Sequence, residues 1–351
     1  MAARSRARAL AALVLAALLS GGASLPAEPP RIDAADLALS PPAGSISVLA
    51  YNVKGLPWPL ASGRSKALAA ISVRLRTLRD RGQQPTVLVL EEAFTGEAKQ
   101  IGRDAGYAYA AFGPSKLETG LAGKTPAARS FLGAGNPLIG EGLGKAADSG
   151  LVIFSDFPIV GTSRMAFPDE ACAGFDCLAN KGVVAAMIAV PGFRHPLAVI
   201  ATHLNARGAS SAPIPRTLAA YRKQLDLLGG FVAAMRRTGS PIVLGGDLNV
   251  GKSPERRAAM RAFLQTAGVT DPAAGSVLDE CLSRSSACRI GRVADARDAL
   301  RHNKDWQLRW PSAHTALTPV AVSVPFGRER NRTMLSDHVG YVVHYAPAAP
   351  R

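Results

Sequence analysis

The 351-residue chain carries 41 Lys and Arg against 26 Asp and Glu, a formal charge of +15, and 48% of its residues are apolar. The apolar share excludes a chain that is disordered throughout, and the length accommodates one large domain or two small ones. The charge attracts polyanions or anionic membrane surfaces without choosing between them, and an alanine- and arginine-rich soluble surface would carry it equally.

Residues 1–27 differ from the rest. Arg4, Arg6 and Arg8 precede an apolar stretch from Leu10 to Leu19, and a small-residue exit follows to Ala27. A basic start, a short apolar core and small residues at the end describe a cleavable secretory signal, too short to span a bilayer comfortably. The mature protein is therefore expected outside the cytoplasm, secreted or periplasmic, with about +12 left once those three arginines are gone. In that compartment Cys172, Cys177, Cys281 and Cys288 allow three disulfide pairings, and their spacing favours the two local loops. Neither pair is C-x-x-C, which argues against a zinc or redox centre.

Residues 28–44, rich in Pro and Ala, form a flexible leader. Ile46–Val53 reads as a first strand with Asn52 at its carboxyl end, and Leu68, Ile71, Leu75 and Leu78 recur at helical spacing before Gly82. Thr86–Leu90 is a second strand, followed at once by Glu91 and Glu92. Residues 113–148 have many Gly, Ala and Pro and little periodicity, so they form a long loop that could serve as a substrate-facing lid or be a decorative insertion. Ser149–Ser155 and Ile159–Ser163 are expected as a hairpin turned at Asp156-Phe157-Pro158. Gly182–Val190 pairs with Leu197–Thr202, which ends in His203. An amphipathic helix over about Arg216–Arg237 comes next. Ile242–Leu244 is then a buried strand halted by Gly245-Gly246, with Asp247 and Asn249 behind it, although Gly-Gly-Asp is also an ordinary turn. Ser253-Pro254 opens a helix that Gly268 closes. Residues 270–335 break the pattern, and Val339–Val343 ends the fold as a strand. No linker cuts the chain, so 45–346 reads as a single domain with 347–351 as a tail.

Asn52, Glu92, His203, Asp247, Asn249, Asp305, Asp337 and His338 all fall at strand ends or beside them. Hard oxygen ligands suit magnesium, and histidines supply proton transfer near neutral pH. The ordered blocks Tyr51-Asn52-Val53, Leu90-Glu91-Glu92, Thr202-His203-Leu204, Gly246-Asp247-Leu248-Asn249 and Ser336-Asp337-His338 resemble the endonuclease/exonuclease/phosphatase superfamily of metal-dependent phosphodiesterases and phosphatases, over roughly residues 46–345. Within it, Asp176–Val183 and Gly245–Val250 are similar to segments of secreted bacterial and neutral sphingomyelinases.

The resemblance implies an α+β fold, a four-layer α/β/β/α sandwich. It implies a metal site at Glu92 with Asn52 and Asp337, holding Mg2+ or alternatively Mn2+, Co2+ or Ca2+. It makes His338 a general base oriented by Asp305, Asp247 a positioner of water, and His203 and Asn249 contacts for the phosphoryl oxygens, with Lys181 a further phosphate contact. The implied substrate is a phosphodiester, either a phospholipid head group with peripheral membrane contact or nucleic acid, and no obligate protein partner is inferred. A DNase-like nuclease and a phosphatase of small or inositol phosphates are the alternatives, and a non-enzymatic binding module is the reading from another class. The bacterial sphingomyelinases often carry a membrane-dipping aromatic hairpin before the last Ser-Asp-His. Here Thr318–Gly327 has one Phe and no Trp, which leaves Trp306 and Trp310 as upstream substitutes or as core.

Overall fold

A computed structural model describes residues 44–269, 275–283, 288–329 and 331–348. The expected signal, nearly all of the leader and the last tail residues lie outside the described residues. Twelve strands occupy Ile46–Asn52 (β1), Val87–Glu91 (β2), Tyr109–Phe112 (β3), Val152–Ser155 (β4), Ile159–Ala166 (β5), Gly182–Ile188 (β6), Leu197–Thr202 (β7), Ile242–Asp247 (β8), Arg289–Ile290 (β9), Asp305–Trp310 (β10), Ala316–Phe326 (β11) and Gly340–Ala348 (β12). The principal helices are Arg64–Asp80 (α1), Gly96–Asp104 (α2), Pro126–Gly133 (α3), Ile214–Arg236 (α4), Pro254–Ala267 (α5), Val277–Ser283 (α6) and Val293–His302 (α7).

The strands form two sheets, β3-β4-β2-β1-β12-β11-β9 and β10-β8-β7-β6-β5. Side-chain alternation along each strand creates the layers. Val48, Val87, Val89 and Ile153 of the first sheet meet Val184, Ala186, Val199 and Val243 of the second in one core. Their neighbours Leu49, Leu88, Leu90 and Phe154 face outward onto Leu68, Ile71 and Leu75 of α1 and Ile101 of α2. On the far side Ile200 and Leu244 pack on Tyr221, Leu225 and Leu228 of α4 and Met260 and Phe263 of α5. The result is the expected four-layer α/β/β/α sandwich of two mixed, largely antiparallel sheets.

Caps and stops match the residue chemistry. The Ser253 hydroxyl accepts from the Arg256 amide at the start of α5, and Gly268 ends that helix at φ 64°. Both local disulfides form, Cys172–Cys177 and Cys281–Cys288.

Two expectations are corrected. The 113–148 segment is not loop throughout, since it holds α3 and a single 3-10 turn at Pro137–Ile139. β4 and β5 are not a hairpin, because β4 pairs with β2 and β3 while β5 pairs with β6 in the other sheet. The three residues Asp156-Phe157-Pro158 carry the chain between sheets. The strands differ accordingly: β4 is wholly buried, whereas β5 is a half-exposed edge. The pattern-breaking segment also holds β10 and the eleven-residue β11. Thr318–Phe326 pairs with β12 within the sheet, and Trp306 and Trp310 are buried, with the Trp310 indole donating to the Ala267 carbonyl at 2.8 Å.

Candidate active site

Topology brings the polar strand ends to one edge of the sandwich. β1 and β2 run parallel and in register, with Asn52 opposite Glu91. β12 returns antiparallel to β1, so Ser336, Asp337 and His338 arrive above Asn52, tied by the Ser336 hydroxyl donating to the Asn52 carbonyl at 2.7 Å. In the second sheet Asp305 opens β10 directly opposite Asp247 at the end of β8. β7 runs parallel to β8 and delivers His203 just past its end.

The Gly-Gly of β8 has a steric cause. A Cβ on Gly246 would fall 1.9 Å from the Thr202 carbonyl oxygen, so the close approach that puts His203 beside Asp247 requires glycine there. Three residues at this edge hold left-handed backbone without being glycine: Lys54 (φ 49°), Glu92 (φ 54°) and Asn249 (φ 48°). Such strain persists where surrounding contacts over-determine it, and it clusters at functional sites.

His338 joins the two sheets. Its Nδ1 lies 2.9 Å from both Asp305 carboxylate oxygens, which fixes the ring and leaves Nε2 pointing into the site, 3.8 Å from Asp247 Oδ2. The same Asp247 oxygen lies 3.6 Å from His203 Nε2, while Asp247 Oδ1 accepts the Asn249 amide at 2.9 Å. Tyr341 donates its hydroxyl to the Asp305 carbonyl. Burial alone would lower His338, but the charge and hydrogen bond of Asp305, with Asp247 behind them, outweigh it and raise the imidazole well above its ordinary value. Burial raises Asp247, against His338 and with Asp305. Burial, Lys181 and His338 together hold His203 well below the usual histidine range, as a neutral ring.

A second group stands alongside. The Asn52 side-chain amide donates to Glu92 Oε1 at 2.9 Å, and Lys54 Nζ reaches Asp337 Oδ2 at 2.9 Å. Burial pushes the Asp337 carboxyl up, but Lys54 and His338 outweigh it and hold it below its usual value. Of the sequence-expected residues, His338, Asp305, Asp247, His203 and Asn249 converge, with Asn52, Glu92 and Asp337 beside them. Lys181 is buried behind this group, its ammonium 2.9 Å from Asp176 and 3.0 Å from the Leu204 carbonyl, the same carbonyl that accepts the Asn249 side chain.

Sequence reasoning passed over Glu91 and Lys54. Glu91 points between the sheets, fully buried, and neither of its carboxylate oxygens has a hydrogen-bond partner. Burial, then Asp305 and Asp247, raise it well above the usual carboxylate range. The doubled acid after β2 was the available signal, since an apolar strand seldom runs into two carboxylates.

This orphaned buried carboxylate tests whether a cation belongs here. Glu91, Glu92, Asp247, Asp305 and Asp337 crowd one edge with oxygen donors, and hard divalent cations take such donors. The residues fit. Ligand atoms of Asp247, Asp305 and His338 also lie within 4.8 Å of one another, but both Asp305 oxygens are engaged by His338, so that trio is better described as a hydrogen-bonded acid–base group.

Comparison with known proteins bears on the fold and the family. No curated protein matches the sequence. Among solved structures, a β-toxin mutant of Staphylococcus aureus with bound magnesium ions aligns with a TM-score of 0.55 at 18% identity, over 86% of this chain and 99% of that one. Sphingomyelinase C from Streptomyces griseocarneus aligns at 0.51 and 18%, over 86% and 99%. An endonuclease/exonuclease/phosphatase from Beutenbergia cavernae aligns at 0.52 and 19%, over 86% and 71%. At such identities these likenesses speak for the fold. The family model described as "Endonuclease/Exonuclease/phosphatase family" matches residues 49–338, nearly the whole described chain. The chain belongs to that family and is, with it, a metal-dependent phosphoric ester hydrolase.

Proposed function

We propose that the protein is an exported, Mg2+-dependent phosphodiesterase of sphingomyelinase or phospholipase C type. The observation that carries the reading is His338, fixed through Nδ1 by Asp305 with Nε2 facing Asp247, beside the Asn52–Glu92 pair. Glu92, Asn52 and Asp337 would hold the cation, with the unpartnered carboxyl of Glu91 buried behind them. The bound cation supplies charge that polarises a phosphoryl oxygen and stabilises the leaving group.

The protein's own groups do the rest. In its neutral form His338 takes on Nε2 the proton of a water that attacks phosphorus in line with the leaving oxygen, and Asp305 keeps the ring in the tautomer that allows it. Asp247, whose Oδ2 lies 3.8 Å from His338 Nε2, orients that water. His203 and the Asn249 side chain contact the phosphoryl oxygens, and Lys181 adds positive potential from behind the Leu204 carbonyl. Two local disulfides and the basic, apolar and small-residue order of positions 1–27 support export of a single catalytic domain over 45–346. Phospholipid diesters at a membrane surface are the favoured substrates.

One observation favours a second reading, a DNase-like nuclease: the charge of +15 suits a polyanion. Sphingomyelin dispersed in detergent and plasmid DNA, each offered with Mg2+, separate the two. Phosphocholine release that is lost in His338→Ala is the expected result. DNA nicking alone would overturn the lipid reading, and silence on both would redirect the site to small phosphate esters.

A further inference from the structure

The loops that leave the catalytic edge carry large apolar side chains that stand exposed. The six most exposed large apolar residues among those described are Leu121 (95%), Leu117 (84%), Leu138 (83%), Leu60 (73%), Leu143 (65%) and Trp58 (62%). All six fall in two segments, 53–63 and 113–148. Scattered exposed leucines need no explanation, but this concentration at one place does.

Topology puts both segments at the mouth. The first leaves the end of β1 directly after Asn52. The second leaves the end of β3, which points the same way as β2 because both are antiparallel to β4. The insertion is fixed there rather than loose. Asn180 donates to the Ser115 and Glu118 carbonyls, the Ala146 and Ala147 amides donate to Leu178, and Lys99 bridges to Asp148. It therefore lies against the 176–181 loop that carries Lys181 to the Leu204 carbonyl beside Asn249.

Charge identifies the occupant. Every carboxylate of the insertion is paired with a cation: Glu118 with Arg164, Glu141 with Arg216 and Asp148 with Lys99. Lys116, Lys124 and Arg129 stand exposed between the leucines. Exposed leucines and tryptophan interspersed with unneutralised cations are the composition that enters the head-group region of an anionic bilayer. Among the described residues no helix is long and apolar enough to cross a membrane.

We propose that residues 56–62 and 115–145 form a docking surface that seats the catalytic mouth on a negatively charged phospholipid bilayer. The inference rests on the phospholipid reading of the site for its purpose, yet its geometry concerns different residues. It also assigns the surface to segments other than Thr318–Phe326, a stretch that pairs with β12 within the sheet.

The test is co-sedimentation of the mature protein with phosphatidylglycerol/phosphatidylcholine vesicles and with phosphatidylcholine alone. To prevent turnover it is made in a His338→Ala background. The expected results are strong partition onto the anionic vesicles, at least a tenfold loss in Leu121→Asp/Leu138→Asp, and a smaller loss in Lys116→Glu/Lys124→Glu. With His338 restored, the leucine variant should hydrolyse a soluble diester, bis(p-nitrophenyl) phosphate, at the unsubstituted rate. Those leucines are exposed, so folding is not expected to suffer.

Equal partition of the leucine variant overturns the proposal, as does failure of the parent protein to sediment, or self-association that the same substitutions abolish. Binding to vesicles without cleavage of any phospholipid would keep the docking surface and sink the lipid reading of the site. Cleavage of detergent-dispersed sphingomyelin without vesicle binding would do the reverse.

Discussion

Asp305 makes no approach to the attacked phosphorus in this account; its work is to hold His338. Asp305→Asn keeps the shape but removes the charge that fixes the imidazole tautomer. The expected loss is about 10²- to 10⁴-fold in kcat with KM little changed, because substrate contacts stay in place. A KM effect alone would place Asp305 in binding instead. Glu91 gives an opposite prediction. Glu91→Gln replaces a buried carboxylate without partners by a neutral isostere, so the metal-free protein should gain about 1–3 kcal/mol of stability at neutral pH, read from urea denaturation in EDTA. The same variant should bind Mg2+ more weakly, because a cation bound nearby favours the ionised form of Glu91, which glutamine cannot supply.

At the scale of elements, Gly246→Ala tests how β7 and β8 shape the site. The added methyl meets the Thr202 carbonyl at 1.9 Å, so the strands must separate, at about 2–4 kcal/mol by urea midpoint, with His203 displaced. β12 supplies a pH test away from the site. His344 is buried, its Nε2 at 3.3 Å from Ser323 Oγ, and burial, reinforced by Arg289, pushes its pKa down to about 4. The unfolded chain takes up that proton near pH 6.5, so between there and pH 4 the unfolded state binds more protons and folding weakens as pH falls. The loss amounts to about 3 kcal/mol, and His344→Leu should remove most of it when unfolding at pH 7 and pH 4.5 is compared. An equal acid loss in both proteins would assign it to carboxylates.

Elements with clean periodicity were legible in the sequence. β1, β2, β7 and β8 announced themselves by β-branched runs ending in polar residues, and α4 and α5 by apolar spacing and caps. β11 was not, because Pro319 and Pro325 interrupt a strand that tolerates them through register shifts at Pro319/Ala321 and Ser323/Phe326. The β4–β5 connection misled because a three-residue Pro-containing turn suits a hairpin and a sheet-to-sheet crossing equally, and only long-range pairing decides. The candidate site residues could be picked out as strand-end polar residues, and the pairing of the strands brings them to one edge. The depth of Glu91 and the two partners of Lys181 arise from contacts between distant segments, and no local pattern carries those.

Over the whole molecule, the covalent cross-links among the described residues are two short local disulfides. Cys281–Cys288 closes a loop of sequence separation 7 beside α6, and Cys281→Ser/Cys288→Ser should cost about 2–3 kcal/mol of stability without altering turnover. Two sheets each contribute half of a site that neither could build alone, and His338 with Asp305 is where the halves meet. The loops above that junction then decide what surface the site can reach, which ties substrate access to the whole fold.

The most direct measurement of the central claim is Mg2+-dependent turnover of the preferred diester by the chelator-treated mature protein and by His338→Ala. No activity is expected in EDTA, with recovery on adding Mg2+ and a loss of about 10²- to 10⁴-fold or more in the variant. Turnover that survives EDTA, or a variant within a few-fold of the parent, would contradict that claim.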